Sequence, residues 1–163
     1  MTHLGPRNST KTLEVGLFSI TYGNNASAFV VGDYFDFTFD SGNLSGYSGD
    51  GTDELTLEAG NYIIEAGLSL NKSNVTNSIA TRYNFQFQLE SNGTLDGTIG
   101  SSDAYYDQYM ATSNQSYLHK NTISSFSLKL KLIDILNGIT SYSSLGDPRT
   151  MPEHSYMTVW REI

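Results

Sequence analysis

The sequence predicts an all-β protein, a single sandwich or barrel of about eight to ten antiparallel strands. Three observations predict it. Apolar residues alternate with period two over Tyr62 to Leu70, Tyr83 to Leu89 and Phe126 to Leu132, the pattern of half-buried strands. Tyr and Phe, both strand formers, make up nearly all of the aromatic residues, 11 and 8 against one Trp. Charged residues are only 16% of the chain, and Ser, Thr, Asn and Gly fill the difference in clusters suited to turns. The alternating Phe and Tyr runs separate this composition from that of a disordered chain. A length of 163 residues suffices for one domain with a real core.

Taken in order, residues 1–10 are polar and read as an N-terminal arm, with a single domain over 11–163. Lys11 to Tyr22 is a strand of mixed alternation, Leu13, Val15 and Leu17 against Phe18 and Ile20. Ala28 to Asp40 is a strand region with Phe35, Phe37 and Phe39 on one face and a bend at Gly32-Asp33. Ser41 to Asp53 is a long Gly/Ser/Asp loop, of a length that is usually functional or mobile. Glu54 to Glu58 and Tyr62 to Leu70 follow as two strands. Between them, Gly60 marks a positive φ or a tight approach. Arg82 to Glu90 shows the cleanest alternation. Ser91-Asn92-Gly93 then predicts a hairpin turn into a short strand over Thr94 to Ile99. Ser101 to Lys120 reads as irregular loop plus strand, Thr122 to Leu136 contains a strand, and 137–154 is a second long loop. Ser155 to Ile163 is a terminal strand.

Charge and composition exclude several functions. The net charge of −8 leaves no basic stripe to neutralise phosphates, which excludes nucleic acid, and it disfavours anionic membranes. Lys129 and Lys131 alternate with leucines and read as the wet face of a strand. The absence of cysteine removes disulfides, zinc-thiolate sites and thiol nucleophiles, and leans towards synthesis in a reducing compartment. The first residues carry no signal-peptide pattern, and no apolar run approaches a membrane span of about 20 residues. Asn-x-Ser/Thr occurs at Asn8, Asn25, Asn43, Asn71, Asn74, Asn92 and Asn114, the acceptor pattern for N-glycosylation in secreted proteins, against the plainer reading of chance in a chain so rich in these residues.

Candidate chemistry is sparse. His3, His119 and His154 lack metal spacing, and there is no nucleophile elbow or phosphate loop, so no enzyme activity is expected. Among the acidic residues from Asp33 to Glu54, the group Asp50, Asp53 and Glu54 lies in a Gly-rich loop suited to calcium, against the plainer reading of a solvated face. Tyr105, Tyr106, Tyr109 and Tyr117 form a cluster with three readings: core packing, a subunit interface, or a platform on which a glycan stacks.

Leu57, Gly60 and Tyr62, then Tyr83 to Asn92, Ser125 to Leu132 and Ser155 to Ile163, resemble the jelly-roll family of tumour necrosis factor and the complement globular heads. The resemblance covers the chain from about Gly51 onward. It implies a jelly-roll β-sandwich and a compact homotrimer; separately, no cofactor is expected. Many bacteriophage virion proteins are similar to this family in their heads, fibre tips and capsid decorations. Its animal members are secreted or membrane-anchored, often on a stalk, and this sequence shows neither feature. The resemblance therefore points to a virion-surface protein made in the host cytoplasm. The short polar arm suits a capsid decoration or cement protein bound to a major capsid protein. The alternatives are a receptor-binding knob on a fibre protein, with loops 41–53 and 137–154 meeting host glycans, and a free lectin-like module.

Overall fold

The computed structural model describes residues 11–21, 31–68, 70–73, 83–104, 114–136, 147–150 and 155–163. The strands are β1 (Leu13–Thr21), β2 (Asp36–Gly42), β3 (Tyr47–Ser48), β4 (Leu55–Leu57), β5 (Gly60–Gly67), β6 (Leu70–Ser73), β7 (Tyr83–Ser91), β8 (Thr94–Ala104), β9 (Ser116–Thr122), β10 (Phe126–Leu136), β11 (Asp147–Thr150) and β12 (Tyr156–Glu162). No helix occurs among the described residues.

Ten strands form two five-stranded antiparallel sheets, β2-β1-β12-β5-β9 and β3-β4-β10-β7-β8, while β6 and β11 pair as a separate ribbon. The path is that of a jelly roll. From β4 the chain crosses to β5, returns to β7 and β8, crosses to β9, returns to β10 and crosses again to β12. The terminal strand lies at the centre of the first sheet, paired with β1 on one side and β5 on the other.

The core lies where the alternation places it. Phe18 and Ile20 of β1, Tyr62, Ile64 and Ala66 of β5, and Met157 and Val159 of β12 are buried from the first sheet. Phe85, Phe87 and Leu89 of β7 and Phe126, Leu128, Leu130 and Leu132 of β10 are buried from the second. Burying a large apolar side chain stabilises by roughly 1.5–3 kcal/mol, so these two inner faces hold the sandwich together. The β7–β8 hairpin turns at Asn92 (φ 48°) and Gly93 (φ 77°), the left-handed pair that the twist of a two-residue hairpin requires.

Four sequence expectations change. The strand region expected over Ala28 to Asp40 is not one strand over its described part, residues 31–40. Gly32 and Phe35 donate backbone bonds to Leu132 and Leu130 of the second sheet, and the chain then crosses to pair as β2 with β1. The 41–53 segment is packed rather than free. Leu44 is buried, and the Tyr47 ring lies 5.5 Å from Phe18 and 5.4 Å from Phe39. Its tip bonds to β2, Phe37 N–H to Thr52 O at 2.8 Å and Gly51 N–H to Phe37 O at 2.7 Å. The strand after the hairpin runs on to Ala104. Finally, Leu70 leaves the β5 strand for β6, whose partner β11 lies within the predicted 137–154 loop.

Arg161 clamps one end of the sandwich. It follows Met157 and Val159 in phase, so its side chain points inward and is 7% exposed. Nη1 donates to Ser45 O at 3.2 Å and reaches Glu14 Oε2 at 3.5 Å. Nη2 donates to Ala59 O at 2.7 Å and reaches Glu58 Oε2 at 3.5 Å. The guanidinium stands 5.8 Å from the Tyr62 ring centroid, and the Tyr62 hydroxyl donates to Glu58 O at 2.8 Å. Burial pushes the Glu14 carboxyl up, but the Ser45 hydroxyl and N–H and the Arg161 charge outweigh it and hold the group below the usual range. Gly60 is here the tight approach that the sequence allowed for: a Cβ would stand 2.9 Å from Arg161 Nε and 3.0 Å from the Tyr62 ring.

Near the Asn92-Gly93 turn a second polar cluster joins the two sheets. The Ser91 hydroxyl donates to Asp96, and Lys120 Nζ of β9 lies 2.8 Å from Ser91 Oγ and 2.9 Å from Asp96 Oδ2. The Ser91 bond, then the Lys120 bond, hold the Asp96 carboxyl below its ordinary value. A carboxyl depressed in this way contributes stability above its unfolded value of about 3.9 and loses it as pH falls through the folded value. Asp96→Asn is therefore expected to lower the urea midpoint at neutral pH, with the gap to the parent closing on acidification. A gap of constant size across that range would show that the ionised carboxylate is not the source.

Candidate interaction surface

The two sheets differ in what they turn to solvent. On the second sheet, alternation sets Lys129 and Lys131 of β10 outward beside Gln86, Gln88 and Glu90 of β7. This face closes on itself electrostatically. Lys129 Nζ lies 2.9 Å from Glu54 and 3.6 Å from Asp53, and Lys131 Nζ lies 3.8 Å from Glu90. The Tyr34 ring sits between the two ammonium groups, 4.7 and 5.2 Å from them, and its hydroxyl donates to Glu90 at 3.2 Å. The Glu54 bond holds the Lys129 ammonium above its ordinary value. Exposed large apolar side chains on this face are Leu95 and Ile99 of β8.

The first sheet carries an exposed apolar patch on its outer face. Its register sets Val15, Trp160, Ile63 and His119 in one row across β1, β12, β5 and β9, and Leu17, Thr158, Glu65 and Tyr117 in the next. Tyr156 lies beyond Leu17, and Leu13 beyond Val15. Leu13, Leu17, Ile63, Tyr117 and Tyr156 are exposed, and Val15 and Trp160 are half-buried. An antiparallel sheet with one wet face ordinarily alternates apolar and polar residues. Here the outer phase of β1 carries Leu13, Val15 and Leu17 and that of β12 carries Tyr156 and Trp160, interspersed with Thr158 and Glu162, which makes an apolar patch on an otherwise mixed face.

At the end of this face marked by Leu13, a cavity of about 320 Å³ opens between Lys11, Thr12, Leu13, Asn61, Ile63, Trp160 and Glu162. Lys11 Nζ lies 2.6 Å from Glu162 Oε1, and Asn61 Nδ2 donates to Glu162 Oε2 at 3.1 Å. The Lys11 bond, then the Asn61 bond, hold the Glu162 carboxyl below its ordinary value.

Of the tyrosine cluster, Tyr117 lies on the apolar face, its hydroxyl donating to Gln115 Oε1 at 2.6 Å. Tyr105, Tyr106 and Tyr109 lie outside the described residues. The structure brings Asp53 and Glu54 together on Lys129 and places Asp50 elsewhere, its carboxylate accepting the Phe39 N–H at 2.7 Å. Among the described residues no group of three or more His, Asp or Glu side chains is placed to hold a metal ion. His119 is exposed on β9, while His3, His154 and the 1–10 arm lie outside the described residues. Sequence reasoning missed the apolar face as a unit. The available signal was the double-sided apolar pattern of 13–20 and 156–160, set against the polar outer phase of 127–131.

No family model matches the chain, and no curated protein matches it in sequence. Among solved structures the chain is similar to murine APRIL in crystals at pH 8.5, pH 5.0 and pH 8.0, with TM-scores of 0.44, 0.47 and 0.46. In each case identity is 12%, over 92% of this chain and 99% of that one.

Proposed function

We propose that this chain is a non-enzymatic assembly protein, a homotrimeric jelly roll that decorates and cements a virion capsid through its major capsid protein. The observation that carries the assembly reading is the asymmetry of the two outer faces: one is closed by its own ion pairs, while the other carries an apolar patch that no described residue covers. A chain of net charge −8 with such a face gains by burying it against a second copy, because apolar burial drives association while the remaining charge maintains solubility. The interface would centre on Leu17, Tyr117 and Tyr156, since aromatic side chains are enriched at such contacts. The capsid role rests on the resemblance of the sequence and on the absence of cysteine, which suits a protein made in a reducing cytoplasm. A protein that binds only the assembled shell stabilises it by mass action.

Light scattering of the purified protein tests the trimer, and a monomer at micromolar concentration would sink it. Adding the protein to undecorated capsids tests the role: binding in hundreds of copies with a raised shell melting temperature supports it, and no binding overturns it. A receptor-binding knob is the second reading, favoured by Ile123. This residue is 99% exposed at the tip of the β9–β10 turn, which Thr122 stiffens by bonding to Ser124 O at 2.8 Å. A copy number of a few to dozens per virion would select the knob.

A further inference from the structure

We propose that the cavity at the Leu13 end of the first sheet binds a neutral pyranoside sugar. The inference goes beyond the assembly reading; the cavity's apolar residues Leu13, Ile63 and Trp160 lie on the same face, away from the contact centred on Leu17, Tyr117 and Tyr156. The cavity lining combines three apolar side chains, Leu13, Ile63 and Trp160, with four polar ones, Lys11, Thr12, Asn61 and Glu162. A pyranose ring has the matching anatomy, a face of C–H groups and a rim of hydroxyls that both donate and accept.

The polar lining is mixed in the way hydroxyls need. The Glu162 carboxylate accepts, Asn61 does both, and Lys11 donates. Lys11 and Glu162 are paired at 2.6 Å, so the lining carries no net charge. The chain around it is acidic, which disfavours a carboxylated or sulfated sugar. A wholly apolar ligand would desolvate the ion pair without replacing its hydrogen bonds. A phosphate would meet Glu162. At about 320 Å³ the cavity is at the small end of ligand sites, matching one or two rings. Among the described lining residues Glu162 is the one carboxylate, and glycosidic hydrolysis ordinarily needs two, so the proposal is for binding without cleavage.

Trp160 is the chain's one tryptophan, so its emission reports directly on the cavity. The full chain is titrated with methyl glucoside, methyl galactoside, methyl mannoside and N-acetylglucosamine, with sorbitol as a non-cyclic control. A saturable change in emission with at least one pyranoside is expected, weakened about tenfold or more by Asn61→Ala. Asn61 is exposed, so that variant keeps the fold, and sizing should show its oligomeric state unchanged. No saturable change with any of the four sugars overturns the proposal, as does a change that Asn61→Ala leaves intact. A monomeric Leu17→Glu variant separates this site from the assembly reading. Sugar binding by both proteins supports the proposal, whereas binding by the monomer alone assigns the cavity to the subunit interface and overturns it.

Discussion

Replacing Arg161 with alanine is expected to cost about 3–5 kcal/mol, the usual loss when one partner of a buried ion pair is removed. For a chain of this size that corresponds to a fall in melting temperature of roughly 6–20 °C. The reason is local. Ser45 O and Ala59 O lose their donor, Glu14 keeps a charge in a site that burial disfavours, and the space beside Gly60 and Tyr62 is left unfilled. Three segments separate in sequence, β1, the 43–46 stretch and the β4–β5 turn, are held by this one side chain. Arg161→Lys keeps the charge but cannot reach both sides as a planar fork, so it should recover only part of the loss. Gly60→Ala should act through the same contact, pushing on Arg161 and the Tyr62 ring at about 1–3 kcal/mol. Thermal unfolding followed by circular dichroism checks all three. An Arg161→Ala protein within 1 °C of the parent would show that the clamp is geometric and not energetic.

Leu17→Glu is expected to convert the proposed trimer to a monomer of 18.0 kDa while leaving the melting transition cooperative. Leu17 points away from the core, so the substitution spares the packing of Phe18 and Ile20. In a trimer with closed symmetry each subunit repeats the change, and burying an unpaired carboxylate in an apolar contact costs several kcal/mol. At about 1.4 kcal/mol per tenfold in dissociation constant, this moves assembly out of the micromolar range. Tyr156→Glu, two residues from Leu17 along the same face, should do the same. Lys129→Glu on the opposite sheet should not, although it breaks the pairs with Asp53 and Glu54. Equal dissociation by substitutions on both faces would move the interface away from the first sheet.

Much of the fold was legible because one phase of a strand is apolar and the other wet. This held for Tyr62 to Leu68, Phe85 to Leu89 and Phe126 to Leu132, all of which face the core as their alternation predicts. The Asn92-Gly93 turn was legible because few residue pairs accept two successive left-handed conformations. The end of β8 was not legible. Gly100, Ser101, Ser102, Asp103 and Ala104 show no alternation, and their strand is specified by backbone bonds to β7. The same holds for Asp147–Thr150, where a proline and two charged residues argue locally for a loop. The packed 41–53 segment escaped notice because Leu44 and Tyr47 are isolated apolar residues, whose burial depends on where Phe18 and Phe39 lie.

By itself the sequence determined an all-β sandwich, the inward phase of its main strands and the absence of a basic surface, because periodicity and charge are local properties of the chain. Only the tertiary structure decided that β12 lies between β1 and β5, that Arg161 is buried beneath three distant segments, and that Val15, Trp160, Ile63 and His119 share one row. Strand order and register arise from pairings between residues as far apart as Leu13 and Glu162. A face built from four strands exists only once those pairings are made.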